Sequence, residues 1–219
     1  MASSLAIPAG RRERQKQERE RRVLAAARRL FDRKGYASTS MEDVAARAGL
    51  AVGTLYNYFS SKEQLLFAIS RSDTEQLVKI GERILADPPE DPVEAIAALA
   101  QAMVDGITAG ERRLWRELFV ASIAAPDTLG ARIFALDMRL IAQVTTMLDL
   151  LKARGSIDAG VDSARVAGLV YGICLTWIIA FAIRSDLTIE TMRAEISESV
   201  RITVDGIRPR GPVKRKVSR

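Results

Sequence analysis

The sequence predicts an all-α protein with a head of short helices, a long linking helix and a larger helical body. Three observations predict it. Strong helix formers (Ala, Leu, Arg, Glu) dominate the chain and β-branched runs are few. Apolar residues, 48% of the total, recur at helical spacing from Val23 onward. Gly and Pro punctuate those stripes at Gly35, Gly49, Pro88-Pro89, Pro126 and Gly155.

At 219 residues the chain can build a substantial core, as one domain or two small ones. The lone cysteine, Cys174, excludes an intramolecular disulfide framework and fits a reducing, cytoplasmic setting. Histidine is absent. With one cysteine, that removes His-based triads, Cys-His nucleophiles and nearly every zinc geometry. No P-loop and no dinucleotide fingerprint occurs. Carboxylates such as Glu117 and Asp137 are expected on solvated faces or paired with Arg116 or Arg139. No enzyme, catalytic residue, metal site or cofactor is therefore expected. No signal peptide is expected either, since no apolar segment follows the first charges.

Charge is unevenly placed. Residues 1–64 carry 13 basic against 7 acidic side chains, residues 65–205 carry 14 against 20, and residues 206–219 carry 6 against none. A basic head, an acidic body and a basic tail suit a chain whose ends meet a polyanion, although terminal Lys and Arg also serve solubility alone.

Taken in order, residues 1–19 read as a charged, flexible arm, whose RRERQKQERERR run can also prolong the first helix through i,i+4 pairs or touch DNA phosphate. Val23, Ala27, Leu30 and Phe31 form the first apolar stripe, ended by Gly35. Residues 20–64 make the head. A long helix then runs to about residue 86 with Leu65, Leu66, Ala68, Ile69, Leu77, Ile80 and Ile84 inward. Pro88 and Pro89 stop it, and Pro92 opens the next. The body, residues 65–207, holds further helices over about 92–108, 111–124, 128–153, 162–184 and 189–207. Residues 208–219 are a basic tail.

Within the head, the stretch from Ser40 to Lys62 has a denser pattern. Ser40 is an N-cap, with Asp43 as the return half of a capping box. Val44, Ala45 and Ala48 give a short apolar side. Gly49 stands where the chain must turn left-handed. A second helix is expected over about Val52 to Tyr58, with Leu55 and Phe59 inward and Gly53, Thr54, Tyr56 and Asn57 outward. Ser60 with Glu63 reads as a capping box for the long helix. Two short helices across a glycine turn are a helix-turn-helix, whose second helix can enter a DNA major groove; by geometry alone they are also an ordinary helical hairpin with solvated Tyr and Asn.

The residues of this stretch are similar to those of the TetR family of bacterial transcriptional regulators. Gly35-Tyr36, Asp43-Val44-Ala45, Ala48-Gly49, Gly53-Thr54-Leu55-Tyr56, Tyr58-Phe59 and Ser61-Lys62-Glu63 carry the resemblance, over roughly residues 20–65. It implies a three-helix helix-turn-helix head joined by a long helix to a helical ligand-binding and dimerisation body. Ser40, Tyr56 and Lys62 would hold phosphates. Val52, Gly53, Thr54, Asn57 and Tyr58 would lie at or near base edges, where Asn pairs with adenine and Val or the Thr methyl meets thymine. Ala51 departs from the family, which often has Ser there. The resemblance further implies a homodimer through about 162–184 and 189–207, a palindromic double-stranded DNA operator, and repression relieved by a small, unknown effector.

Two features of the body stay open. Val166–Ile183 is 18 uncharged residues, the lower edge of a membrane span; a helix buried on all sides within the body is the expectation, and no membrane partner. Trp115, Phe119, Phe134, Met138, Tyr171, Cys174 and Trp177 are candidates to line a pocket for a largely apolar effector, or are ordinary core. A dimeric DNA-binding protein with no small-molecule input, or a membrane-tethered helical protein, are the alternatives.

Overall fold

The computed structural model describes residues 9–105 and 112–209. Nine α-helices appear among them: α1 Ala9–Lys34, α2 Met41–Ala48, α3 Val52–Tyr56, α4 Lys62–Ala86, α5 Pro92–Asp105, α6 Arg112–Ala124, α7 Ala131–Ala153, α8 Ser163–Ile183 and α9 Ile189–Asp205. A wide helical turn, Pro126–Gly130, joins α6 to α7. The protein is all-α, with a helix-turn-helix head and a helical body.

Local chemistry sets the helix ends. Asp91 accepts from the backbone N–H of Val93 and Glu94 and so caps α5. Asp162 caps α8 and Thr188 caps α9 in the same way. The start of α4 departs from expectation. Ser61, not Ser60, is its N-cap and accepts from Gln64 N–H, while Gln64 Oε1 accepts from Ser60 N–H. The return half of the cap is therefore Gln64 rather than Glu63. The arm expected to be flexible over residues 1–19 is helical from Ala9. Pairs such as Glu18–Arg21 at 2.7 Å support it. Residues 1–8 and the tail beyond 209 lie outside the described residues.

Two apolar clusters form. Val23, Ala27, Phe31, Val44, Leu55, Leu65, Leu66 and Ile69 make the head core, together with Leu114, Leu118 and Leu129 from the body. The body core joins Ile96, Met147, Leu148, Val170, Cys174, Phe181 and Met192. Helix α4 enters both, with Leu65 to Ile69 in the first and Val78 in the second. The head core therefore continues past residue 64, into α4 and α6. Ile80, expected inward, is exposed; Val78 and Gly81 are buried instead, against α7.

Helix α8 is not buried on all sides. Only 39% of its apolar window is buried, although its mean hydropathy is 2.3. It packs on α5, α6, α7 and α9 along one side. Leu169 (61% exposed), Ile179 and Ile183 (69%) stay uncovered on the other. Among the described residues it is the one single helix long and apolar enough to cross a membrane.

Candidate nucleic-acid interface

The head is built to hold α3 outward. Thr39 is buried and its Oγ1 donates to Gly35 O at 2.7 Å, fixing the loop that delivers Ser40. Ser40 Oγ accepts from Asp43 N–H at 3.1 Å and Asp43 Oδ2 accepts from Ser40 N–H at 3.0 Å, a complete capping box. Lys34 also pairs with Asp43, and this hydrogen bond, with that from Ser40, holds the Asp43 carboxyl below its ordinary range. Gly49 has φ 66° and ψ 42°, the left-handed turn at the end of α2. Helix α3 then runs five residues and buries only Leu55. Ala51 supplies no side-chain cap.

Gly53, Tyr56 and Asn57 are exposed, and Val52, Thr54 and Tyr58 are half-buried around the same helix. A Cβ built on Gly53 would meet nothing within 4 Å. Within the chain, no neighbour requires glycine there. Ser40 is half-buried, and its hydroxyl proton remains available after the cap bond accepted by its oxygen. Lys62, a predicted phosphate ligand, also has partners within the chain. Its ammonium donates to Tyr36 O at 2.8 Å and Ala37 O at 3.2 Å and lies 4.8 Å from the Tyr36 ring centroid. It ties the start of α4 to the α1–α2 loop and so positions Ser40.

Five of the seven candidate pocket residues, Trp115, Phe119, Tyr171, Cys174 and Trp177, lie in or against the body core, and Phe134 and Met138 do not. Trp115 and Phe119 stack at 6.0 Å, and Trp115 touches both cores. Cys174 is fully buried, and burial pushes its thiol up to about 12. Tyr171 and Trp177 are half-buried against the body core. Phe134 and Met138 lie exposed, four apart on an uncovered face of α7. Between α4, α5 and α7 the seam is nearly filled: a void of ≈ 10 Å³ remains among Leu77, Gly81, Leu99, Met103, Leu140 and Gln143. Gln143 Nε2 donates across it to Val78 O at 2.7 Å. An open cleft of ≈ 650 Å³ lies where the head meets the body, between Ser61 and Gln64 of the α4 start and Asp127, Thr128 and Arg132.

Sequence reasoning missed the joint between the halves. Arg112 donates to the carbonyls of Phe181, Arg184 and Leu187 and stacks on Phe181, closing the C-terminal end of α8. Arg113, next along, donates to Lys34 O at 3.2 Å and Arg33 O at 3.4 Å, the last carbonyls of α1. Adjacent side chains thus hold the body at one hand and the head at the other. Their partners are backbone carbonyls far away in sequence, which leave no local signal.

Residues 23–69 match the profile of the family described as "Bacterial regulatory proteins, tetR family". A repressor of Rhodococcus jostii, KstR, is 28% identical over 192 residues, covering 86% of this chain and 82% of its own. The structure of Salmonella enterica GusR aligns with TM-score 0.68 at 25% identity, over 93% of this chain and 98% of its own. Thermus thermophilus FadR, a TetR-family repressor solved with lauroyl-CoA, aligns with TM-score 0.65 at 23% identity, over 88% and 96%.

Proposed function

The chain belongs to the TetR family of bacterial transcriptional regulators, and from that premise we propose that it is a sequence-specific repressor that leaves a palindromic operator when a small, largely apolar effector binds its body. The observation that carries DNA reading is α3 itself, a five-residue helix that fully buries Leu55 alone and leaves Gly53, Tyr56 and the following Asn57 exposed on a capped scaffold. Asn57 and Thr54 supply base-edge chemistry, while Ser40 and Tyr56 supply phosphate contacts. Lys62 also holds the loop before Ser40.

The uncovered face of α8 supports a two-fold dimer through about residues 162–184 and 189–207. Leu169, Ile179 and Ile183 of α8 and Ile202 of α9 are the apolar side chains it would cover. Such a dimer sets two copies of α3 roughly 34–36 Å apart, one turn of DNA.

Effector response needs two arrangements of α4 with different ligand affinity. The seam of α4 with α5 and α7 suits this role. Its lining is apolar around one polar group, Gln143, and α4 runs from it directly into the head core. A ligand entering there parts α4 from α7, breaks the Gln143–Val78 bond and tilts the head. The acyl-CoA held by FadR is a property of that protein, and the likeness at 23% identity carries fold alone. The ≈ 10 Å³ left in the seam favours a second reading, a dimeric regulator with no small-molecule input. Titrating apolar compounds against the protein on its operator tests both. Release together with a change in the emission of the two tryptophans, Trp115 and Trp177, supports the effector reading. Compounds that bind the seam yet leave operator affinity unchanged would refute it.

A further inference from the structure

Helix α1 is longer than the head needs. The core takes up the helix at Val23. The preceding residues 9–22 extend roughly 20 Å beyond it at 1.5 Å per residue. From residue 10 to residue 22 there is no apolar side chain, and residues 13–19, 21 and 22 are exposed. A helix this short and polar on every side is marginal in water when nothing packs on it. Its few internal contacts, such as Arg14 Nε to Gly10 O at 3.0 Å, do not amount to packing. Residues 11–22 hold seven basic and three acidic side chains.

The geometry where this extension leaves the head is specific. Arg22 donates to Ala48 O, the end of α2. Beside it an open cleft of ≈ 490 Å³ runs along the α1–α2 seam, with Arg22, Arg29, Arg47 and Gly49 in its lining and no carboxylate. Gly49 leads directly to α3 at Val52. Three guanidiniums therefore form a floor that starts beside the reading helix and continues outward along α1. Guanidiniums bind phosphate oxygens bidentately and suit a duplex backbone better than a point ligand.

We propose that the Arg22–Arg29–Arg47 cleft and the outer half of α1 grip the phosphate backbone of duplex DNA flanking the half-site read by α3. The grip is indifferent to sequence and lengthens the footprint beyond the bases that α3 reaches. It rests on the reading of the head as DNA-binding.

The test uses the full chain and two duplexes of equal length, one selected from a random pool by the wild-type protein and one of random sequence. Affinity is measured across a salt series. Arg22 stays in place because it closes α2; Arg29 and Arg47 are exposed and are changed together to Ala. Removing one arginine from a phosphate flattens the slope of log K against log salt by about 0.9. The R29A/R47A variant should flatten it by about 2 per head on both duplexes, with the preference for the selected one unchanged. Trimming the flanks of the selected duplex should weaken the wild type and spare an Arg14→Ala/Arg19→Ala variant. A wild-type slope in R29A/R47A overturns the cleft assignment, and equal sensitivity to trimming overturns the role of outer α1. The Asn57→Ala variant separates the two readings, since it should lose preference while keeping the slope. A wild-type chain that recovers no duplex from the random pool overturns both readings, whereas selective binding with unaltered slopes in the arginine variants overturns this one only.

Discussion

Gly53 offers a test in which stability and function move in opposite directions. It sits in the first turn of α3, and no neighbouring atom lies within 4 Å of a Cβ placed there. Its φ is not positive, so alanine meets no backbone strain. Glycine in a helix costs roughly 0.5–1 kcal/mol relative to alanine. Gly53→Ala should therefore stabilise the head by about that amount, which in a chain of this size raises the thermal midpoint by about 1–4 °C. On DNA the added methyl stands where α3 would approach a groove wall, and the expected loss is about 1–3 kcal/mol of operator affinity, the scale of one misplaced base contact. Calorimetric melting and a fluorescence-anisotropy titration on the same preparation measure both. A lower melting point would show that Gly53 serves the fold. A raised melting point with unchanged operator affinity would show that this face of α3 does not meet DNA.

Three further outcomes follow from the geometry. Asp137 is half-buried on α7 beside Tyr171, and burial raises its pKa to about 6 from an ordinary 3.8. A carboxyl raised on folding contributes stability below its unfolded value that is lost as pH climbs through the folded one. A shift of that size corresponds to about 3 kcal/mol at 1.36 kcal/mol per unit, reduced to roughly half by partial exposure. Asp137→Asn should therefore melt higher than wild type at pH 7.5 and equally at pH 4, and a pH-independent difference would contradict the cause assigned. Replacing Leu169 and Ile183 together by Glu puts charge on the uncovered face of α8; sedimentation should report monomers with an intact circular dichroism spectrum, and a persistent dimer would move the interface elsewhere. Arg113→Ala removes two hydrogen bonds from a charged donor to the end of α1, with an expected loss of about 1–3 kcal/mol of local stability. Amide exchange should quicken over residues 33–36 and stay unchanged in α9, and unaltered exchange at residues 33–36 would remove Arg113 from the joint.

The head was legible because its determinants are local. Ser40 and Asp43 are three apart, Gly49 marks a left-handed turn with its own residue type, and Leu55 falls inward by helical spacing. The slip of Ser60 for Ser61 arose because two successive serines are followed by Glu63 and Gln64, so that either register closes a box. The body was legible as helices and much less so as surfaces. Helix α8 is apolar all round, so its composition hides which side the chain covers and which side a second copy would take. Phe134 and Met138 are typical pocket residues by type, yet they face outward on α7. Gln143, the polar group in the seam, carries no such mark, because its partner is the carbonyl of Val78 on another helix. Arg112 and Arg113 were hidden for the same reason.

Sequence-specific reading by α3 is the central claim, and selection of duplexes from a random pool by wild type and by Asn57→Ala tests it most directly. The wild type should recover a palindrome with half-sites one turn apart, and the variant should recover the same palindrome with one or two positions per half-site blurred, a loss of roughly 1–3 kcal/mol of discrimination there. Identical, fully specified palindromes from both proteins would contradict base reading by Asn57. A wild-type pool with no recurring sequence, and binding abolished by moderate salt, would reduce the head to counterion release alone.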